Sequence, residues 1–190
     1  MNGNERLDTQ SPFFGFFERT YGDSIIMGIR RQLKANNKSI SVARLLIEVA
    51  AKPDLVTRSD FFELFKDYGS PQIDRIRHEA FERFALPGSP HIDSARIAAD
   101  LQLLKNRCKG AEDYADWRIA HWDRRQPGFS LTFDDISNAM DTLGEIVRKY
   151  CLLFFATHLE LLPVSEHPVF DVFNEPWSVQ SRPSNKNDSA

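Results

Sequence analysis

Residues 93–123 read DSARIAADLQLLKNRCKGAEDYADWRIAHWD, and this stretch decides the fold. Asp93 can cap a helix, and apolar residues then recur at three- and four-residue steps, which is the pattern of one buried helical face. These residues are Ile97, Leu101, Leu104, Cys108, Ala111, Ala115, Ile119 and Trp122. The pattern predicts one long amphipathic helix over about residues 94–123.

The end of this helix carries a polar and aromatic cluster, Tyr114–Asp123. At about 100° per residue, Arg118 lies roughly 60° and His121 roughly 120° from the centre of the apolar face, so neither belongs to the core. The two residues are three positions apart and therefore share one helical surface. A guanidinium and an imidazole placed together in this way can bind one phosphate or carboxylate. The cluster is the candidate site.

Helical periodicity extends to both sides of this stretch. Shorter helices are predicted before it, at Phe13–Leu33, Val42–Ala51, Asp60–Lys66 and Ile73–Phe84. A last helix over about residues 134–157 starts at a capping-box-like Thr132 and Asp135. Its stripe should pair with another helix and comprises Ile136, Met140, Leu143, Val147, Tyr150 and Phe154.

No strand or repeat emerges from the sequence, so the economical architecture is an all-α bundle. Its last two helices are expected to be long and antiparallel. We expect a flexible N-terminus over residues 1–11, a helical domain over residues 12–163 and an irregular tail over residues 164–190.

The composition is that of one ordinary globular domain, with 190 residues, 42% hydrophobic and 27% charged. A net charge of -3 gives no overall attraction to nucleic acid, so any such binding must use a local patch. Cys108 and Cys151 fall on apolar helix faces, which is typical of buried thiols in a reducing cytoplasm. The apolar run Cys151–Ala156 is too short to span a bilayer, so we expect a cytoplasmic protein without a membrane partner.

Several catalytic motifs are absent from the sequence. It contains no phosphate-binding glycine loop, no His-Glu-x-x-His, no nucleophile elbow and no Cys-x-x-Cys. We therefore expect neither a metal nor a cofactor. Arg30 and Arg31 with Lys34 and Lys38 form a basic end to the first helix, which is more often solvated surface than a phosphate site but would widen a cationic patch.

Two interpretations of the Arg118–His121 pair remain open. In the first, it is a surface set in which Arg118 bonds Asp116 or Asp123 and His121 stacks on a neighbouring tryptophan. In the second, it cleaves RNA without a metal, because an imidazole can transfer a proton at neutral pH and a guanidinium can stabilise charge on phosphate. One pair is an incomplete site, so a symmetric homodimer would complete it.

The chain resembles a known family through the cluster Arg118–Asp123 and the segments Ile29–Leu33 and Ser39–Leu46. It is similar to the HEPN (higher eukaryotes and prokaryotes nucleotide-binding) superfamily, specifically its abortive-infection AbiU-like branch, over about residues 15–160. The resemblance implies a small, usually dimeric all-α bundle. Its active members are metal-independent endoribonucleases in phage defence or toxin–antitoxin systems.

By position, the resemblance carries over His121 as the catalytic histidine, with Asp116 and Asp123 as its polar neighbours. Active members place four to six residues between the arginine and the histidine. Here Ala115 stands six residues before His121, and only two residues separate Arg118 from His121. Either Arg118 takes the role from about one turn further along the helix, or the chain binds nucleotide or RNA without cutting it.

Two non-catalytic functions stay open beside the nuclease. A binding module of the same fold would hold RNA or nucleotide through Arg118, Arg124 and Arg125, with a steep salt dependence. A protein-interaction component, paired with an antitoxin or another defence-operon partner, would use the aromatic residues within 170–177.

Overall fold

A computed structural model describes residues 12–36, 38–66, 70–120 and 130–157 of the chain. Within these ranges every element of regular secondary structure is a helix, and the expected all-α class is confirmed. The helices are α1 (Pro12–Leu33), α2 (Val42–Ala51), α3 (Arg58–Glu63), α4 (Pro71–Phe81), α5 (Ser94–Tyr114) and α6 (Phe133–Phe155). A short 3-10 turn, Pro53–Leu55, separates α2 from α3, and a π-helical segment, Ala115–Ala120, directly continues α5.

Side-chain caps set where these helices begin. The Asp93 carboxylate accepts a hydrogen bond from the Ala95 amide at the start of α5, over 2.9 Å. Thr132 and Asp135 form the expected reciprocal capping box at the start of α6. Thr57 caps α3, so this helix begins at Arg58, ahead of the predicted Asp60. Because each cap satisfies an amide that has no partner within the helix, the starts are fixed by local chemistry.

Helix α5 is the centre of the bundle and packs against α1, α2 and α6. Its predicted apolar face is confirmed as far as Ala115, since Ile97, Leu104, Cys108 and Ala115 are all fully buried. None of the described helices combines the length and the apolar character needed to cross a bilayer.

The buried face of α6 differs in part from the predicted stripe. Its fully buried residues are Ile136, Ala139, Ile146, Tyr150 and Leu153. Met140, Leu143 and Val147 are only partly buried and line a groove of about 480 Å³ that faces Gln32 and Val42. The apolar surface of α6 is therefore wider than one stripe: Ile136 and Tyr150 of the predicted stripe are buried, whereas its middle residues lie at the margin.

Contacts between α5 and α6 show that the two helices run antiparallel. Cys108 contacts the carbonyl of Ala139, whereas Asp100, nearer the start of α5, bonds to Tyr150, nearer the end of α6. The end of α5 and the start of α6 consequently lie at the same end of the bundle. Helix α1 also reaches this end, because it packs against the π-helical segment.

Candidate functional site

The long helix changes its geometry where the polar cluster begins. Regular α-helical hydrogen bonding ends at Tyr114, and residues Ala115–Ala120 adopt the wider π-helical form, in which bonds join residues five positions apart. The angles predicted for Arg118 and His121 assumed an unbroken α-helix, so they do not apply beyond Tyr114, where the helix geometry changes. Single π-helical turns within α-helices occur frequently at functional sites.

Asp116, the second residue of this segment, is bound by an arginine from another helix. The Oδ1 atom of Asp116 accepts a hydrogen bond from Nε of Arg30 on α1 and also contacts Nη2 of the same side chain. The Arg30 side chain is 20% exposed and that of Asp116 is 44% exposed. The ion pair therefore joins two distant parts of the sequence at the edge of the candidate site, partly shielded from solvent.

Arg118 lies within the same segment and contacts an aromatic neighbour. Its Cζ atom is 5.8 Å from the centre of the Trp117 ring, within the range of a cation–π interaction. Trp117 in turn packs edge-on against Tyr114, with 6.2 Å between ring centres. All three side chains are half-buried. Residues 114–118 thus present a phenol, an indole and a guanidinium on one short stretch of backbone.

The structure brings together only some of the residues predicted for the site. Asp116 and Arg118 both lie on the π-helical segment. His121, Asp123, Arg124 and Arg125 lie outside the described residues, as do the aromatic residues within 170–177. His121 follows Ala120, the last residue of the segment, directly in the sequence.

Ala115 occupies one of the three positions, 114–116, where the spacing of the family resemblance would place an arginine, and it is fully buried. It is part of the hydrophobic core of the bundle. A guanidinium at this position would therefore point into apolar packing, away from any substrate. The guanidinium groups described on or against the π-helical segment are instead those of Arg118 and Arg30.

Arg30 is the residue that sequence reasoning did not place in the site. Its sequence context, a basic end of a helix, favoured solvated surface. Ile29 beside it and Leu33 one turn later are almost completely buried, at 3% and 5% exposure. An arginine next to a core residue lies at the edge of the buried face, and this position was the available indication that Arg30 contacts another helix.

A cleft of about 380 Å³ adjoins the site, between α1, the end of α5 and the start of α6. Charged side chains from α1 line it, namely Glu18, Arg19 and Asp23, together with Tyr114. Among the residues that the structure describes, no three His, Cys, Asp or Glu side chains are grouped closely enough to hold a metal ion. The described chemistry at this end is that of guanidinium, carboxylate and aromatic groups.

Comparison with known proteins gives one match. A protein-family model named HEPN_AbiU2, with the description AbiU2, matches residues 3–172. No curated protein and no solved structure matches the chain. The matched range includes every described residue and His121.

Proposed function

Because the chain belongs to the HEPN_AbiU2 family of abortive-infection HEPN proteins, we propose that it is a metal-independent endoribonuclease of phage defence or of a toxin–antitoxin system. The observation that carries this proposal is the π-helical segment Ala115–Ala120. It places a carboxylate and a guanidinium on the stretch of backbone that leads directly into His121. A local departure from α-helical geometry at the cluster where the sequence predicted the site favours a site over a surface ion pair.

The proposed reaction needs only proton transfer and charge stabilisation. His121 takes the proton from a ribose 2′-hydroxyl, and the resulting oxygen attacks the adjacent phosphorus. The bond from phosphorus to the 5′-oxygen of the next nucleotide then breaks. The products are a 2′,3′-cyclic phosphate and a 5′-hydroxyl. A guanidinium stabilises the negative charge that gathers on the phosphate as the bond breaks.

We propose that the enzyme is a homodimer. The reaction needs one group to remove a proton from the attacking oxygen and another to protonate the leaving oxygen. One chain supplies a single His121, whereas a symmetric pair supplies two. Sedimentation at micromolar concentration should therefore give twice the mass of the 21.8 kDa chain, and a monomer at that concentration would contradict this part of the proposal.

Incubation of the purified protein with a 5′-labelled oligoribonucleotide in EDTA tests the activity. We expect cleavage by the wild type and a loss of about 10²- to 10⁴-fold on His121→Ala, the range for general acid–base groups. The same oligonucleotide made with deoxyribose should resist cleavage, because it lacks the attacking hydroxyl. His78→Ala is the matched control, since it removes an exposed histidine on α4.

A second candidate function is RNA or nucleotide binding without cleavage. The residues at 114–116 favour it, because none of the three positions that fit the spacing of the family resemblance is an arginine, and the middle one, Ala115, is used for packing. Binding of the oligoribonucleotide with no cleavage on any substrate, and with His121→Ala equal to wild type, would replace the nuclease proposal by this one.

A further inference from the structure

We propose that Arg30 is the residue that binds the substrate phosphate, and that Asp116 positions it. The Arg30–Asp116 ion pair places a guanidinium from α1 against the π-helical segment that leads into His121. The site is then assembled from two helices instead of from one motif. Its role in cleavage rests on the proposed ribonuclease function.

The backbone of Arg30 is held rigidly. Arg30 comes directly after Ile29 and about one helical turn before Leu33. Both of these residues are packed in the core of the bundle. Ordering a free arginine side chain on a substrate costs rotamer freedom. Asp116 already orders the Arg30 side chain, so much of this rotamer freedom has been lost before the substrate binds. A preorganised donor of this kind is what stabilises a charge that develops on phosphate.

The guanidinium keeps donors for a second anion. Its contacts with Asp116 use Nε and Nη2, and no described residue accepts a hydrogen bond from Nη1. Since a guanidinium has five N–H donors on two usable edges, the edge formed by Nη1 and Nη2 can bind two phosphate oxygens. A carboxylate on one edge and a phosphate on the other is an arrangement that a planar fork accommodates and a lysine does not.

The energetics of the pair separate this role from a structural one. Ion pairs that are partly exposed contribute little to stability. Removing Arg30 should therefore change the stability of the protein little. A loss of activity of 100-fold corresponds to about 2.7 kcal/mol in the transition state, which is more than such a pair contributes to folding.

The test compares Arg30→Met, Arg30→Lys, Asp116→Asn and the exposed neighbour Arg31→Met. We expect Arg30→Met to lower kcat by about 10²- to 10³-fold while the midpoint of thermal unfolding stays within a few degrees of wild type. Asp116→Asn should lower kcat less, and the double variant with Arg30→Met should equal Arg30→Met alone. Arg31→Met should leave kcat within about twofold of wild type.

Two results would overturn the proposal while leaving the ribonuclease intact. One is an Arg30→Met enzyme that retains its kcat. The other is equal, small effects of Arg30→Met and Asp116→Asn that follow their effects on unfolding, which is the behaviour of a structural ion pair. Loss of cleavage on His121→Ala in the same assay shows in each case that the proposed function holds.

If the wild type cleaves no RNA, the proposed function is wrong. A binding experiment then tests separately whether Arg30 contacts phosphate. The probe is a 2′-O-methyl oligoribonucleotide. Arg30→Met should reduce the slope of log K against log salt by about 0.7, the value for one phosphate contact on a single strand. The Nε–Hε signal of Arg30 in the wild type should shift on titration. An unchanged slope, an unmoved signal or an absence of binding would each refute the assignment.

Discussion

The Tyr150 hydroxyl on α6 donates a hydrogen bond to the Asp100 carboxylate on α5, over 2.8 Å. Lys149 donates to the same oxygen over 2.7 Å, and its ammonium lies 5.1 Å from the Phe84 ring. The Asp100 side chain is only 16% exposed. These groups hold the two long helices together at the end of α5 opposite the π-helical segment, so they should act on stability and not on the candidate site.

Tyr150→Phe should lower the free energy of unfolding by about 1.5–3 kcal/mol, the range for a hydrogen bond to a charged group. The ring stays in place, so the loss measures the hydroxyl. Urea denaturation followed by circular dichroism gives the value. Tyr21→Phe removes the same atom from a side chain that is 56% exposed and should change stability little, so equal losses in both variants would show that the Asp100 bond contributes nothing.

The protein should lose stability as the pH rises above about 9. Burial, with a smaller contribution from Glu112, raises the pKa of the Cys108 thiol from 9.0 to about 11. In this pH range the unfolded chain releases the Cys108 proton while the folded chain keeps it, so unfolding is favoured. The stability from this group is complete below pH 9 and is lost between about 9 and 11.

Cys108→Ala measures this contribution. The variant should be less stable overall because it leaves a small cavity, yet its stability should fall less steeply between pH 8.5 and 9.5. The comparison stops there because Tyr150, whose pKa is raised by burial and by its bond to Asp100, adds a loss of the same sign above pH 10. Parallel curves for the two proteins would contradict the assignment.

Ala115→Arg introduces an arginine at a spacing from His121 that the family resemblance requires. This change should nevertheless fail to create an active site. Ala115 is 0% exposed within the core, and an unpaired charge buried there should destabilise the protein by more than about 4 kcal/mol. Gln102→Arg on the exposed face of α5 is the control for an added arginine. A folded Ala115→Arg protein with increased cleavage would show that the core can open at this point.

Ala156→Gly should stabilise the protein. Ala156 ends α6 with φ 51° in the left-handed region, and its amide bonds to the carbonyl of Leu152. This conformation costs an L-residue about 1–2 kcal/mol, part of which is offset by the greater freedom of glycine in the unfolded chain. The expected gain is about 0.5–1 kcal/mol in urea denaturation. Thr157→Gly, one residue later, should give no gain.

The sequence predicted the fold well where the governing forces are local. The bounds of α2, the caps at Asp93 and Thr132, and the buried face of α5 up to Ala115 follow from periodicity and capping chemistry. The prediction of which α6 residues are buried was partly wrong. A broad apolar surface allows more than one stripe, and packing against the partner helix determines which one is buried.

The candidate site was harder to predict. Arg30 and Asp116 are 86 positions apart, and helical periodicity carries no information about which distant side chains meet. The sequence likewise does not predict the π-helical form of Ala115–Ala120, because the segment contains neither glycine nor proline. The segment packs against α1, a contact between distant parts of the sequence that periodicity does not reveal.

A π-helical turn contains one residue more than the α-helical turn that it replaces. Loss of a single amino acid anywhere within Ala115–Ala120 would let α5 continue as an ordinary α-helix. Because the π-helical turn takes up one residue more over nearly the same rotation, the shortened helix would end in nearly the same direction, and the core up to Tyr114 would keep its packing. The extra residue is therefore dispensable for the path of the helix axis, and what it changes is the local backbone that carries Asp116 and Arg118. A single-residue deletion in this segment should accordingly leave the bundle folded and impair only the candidate site.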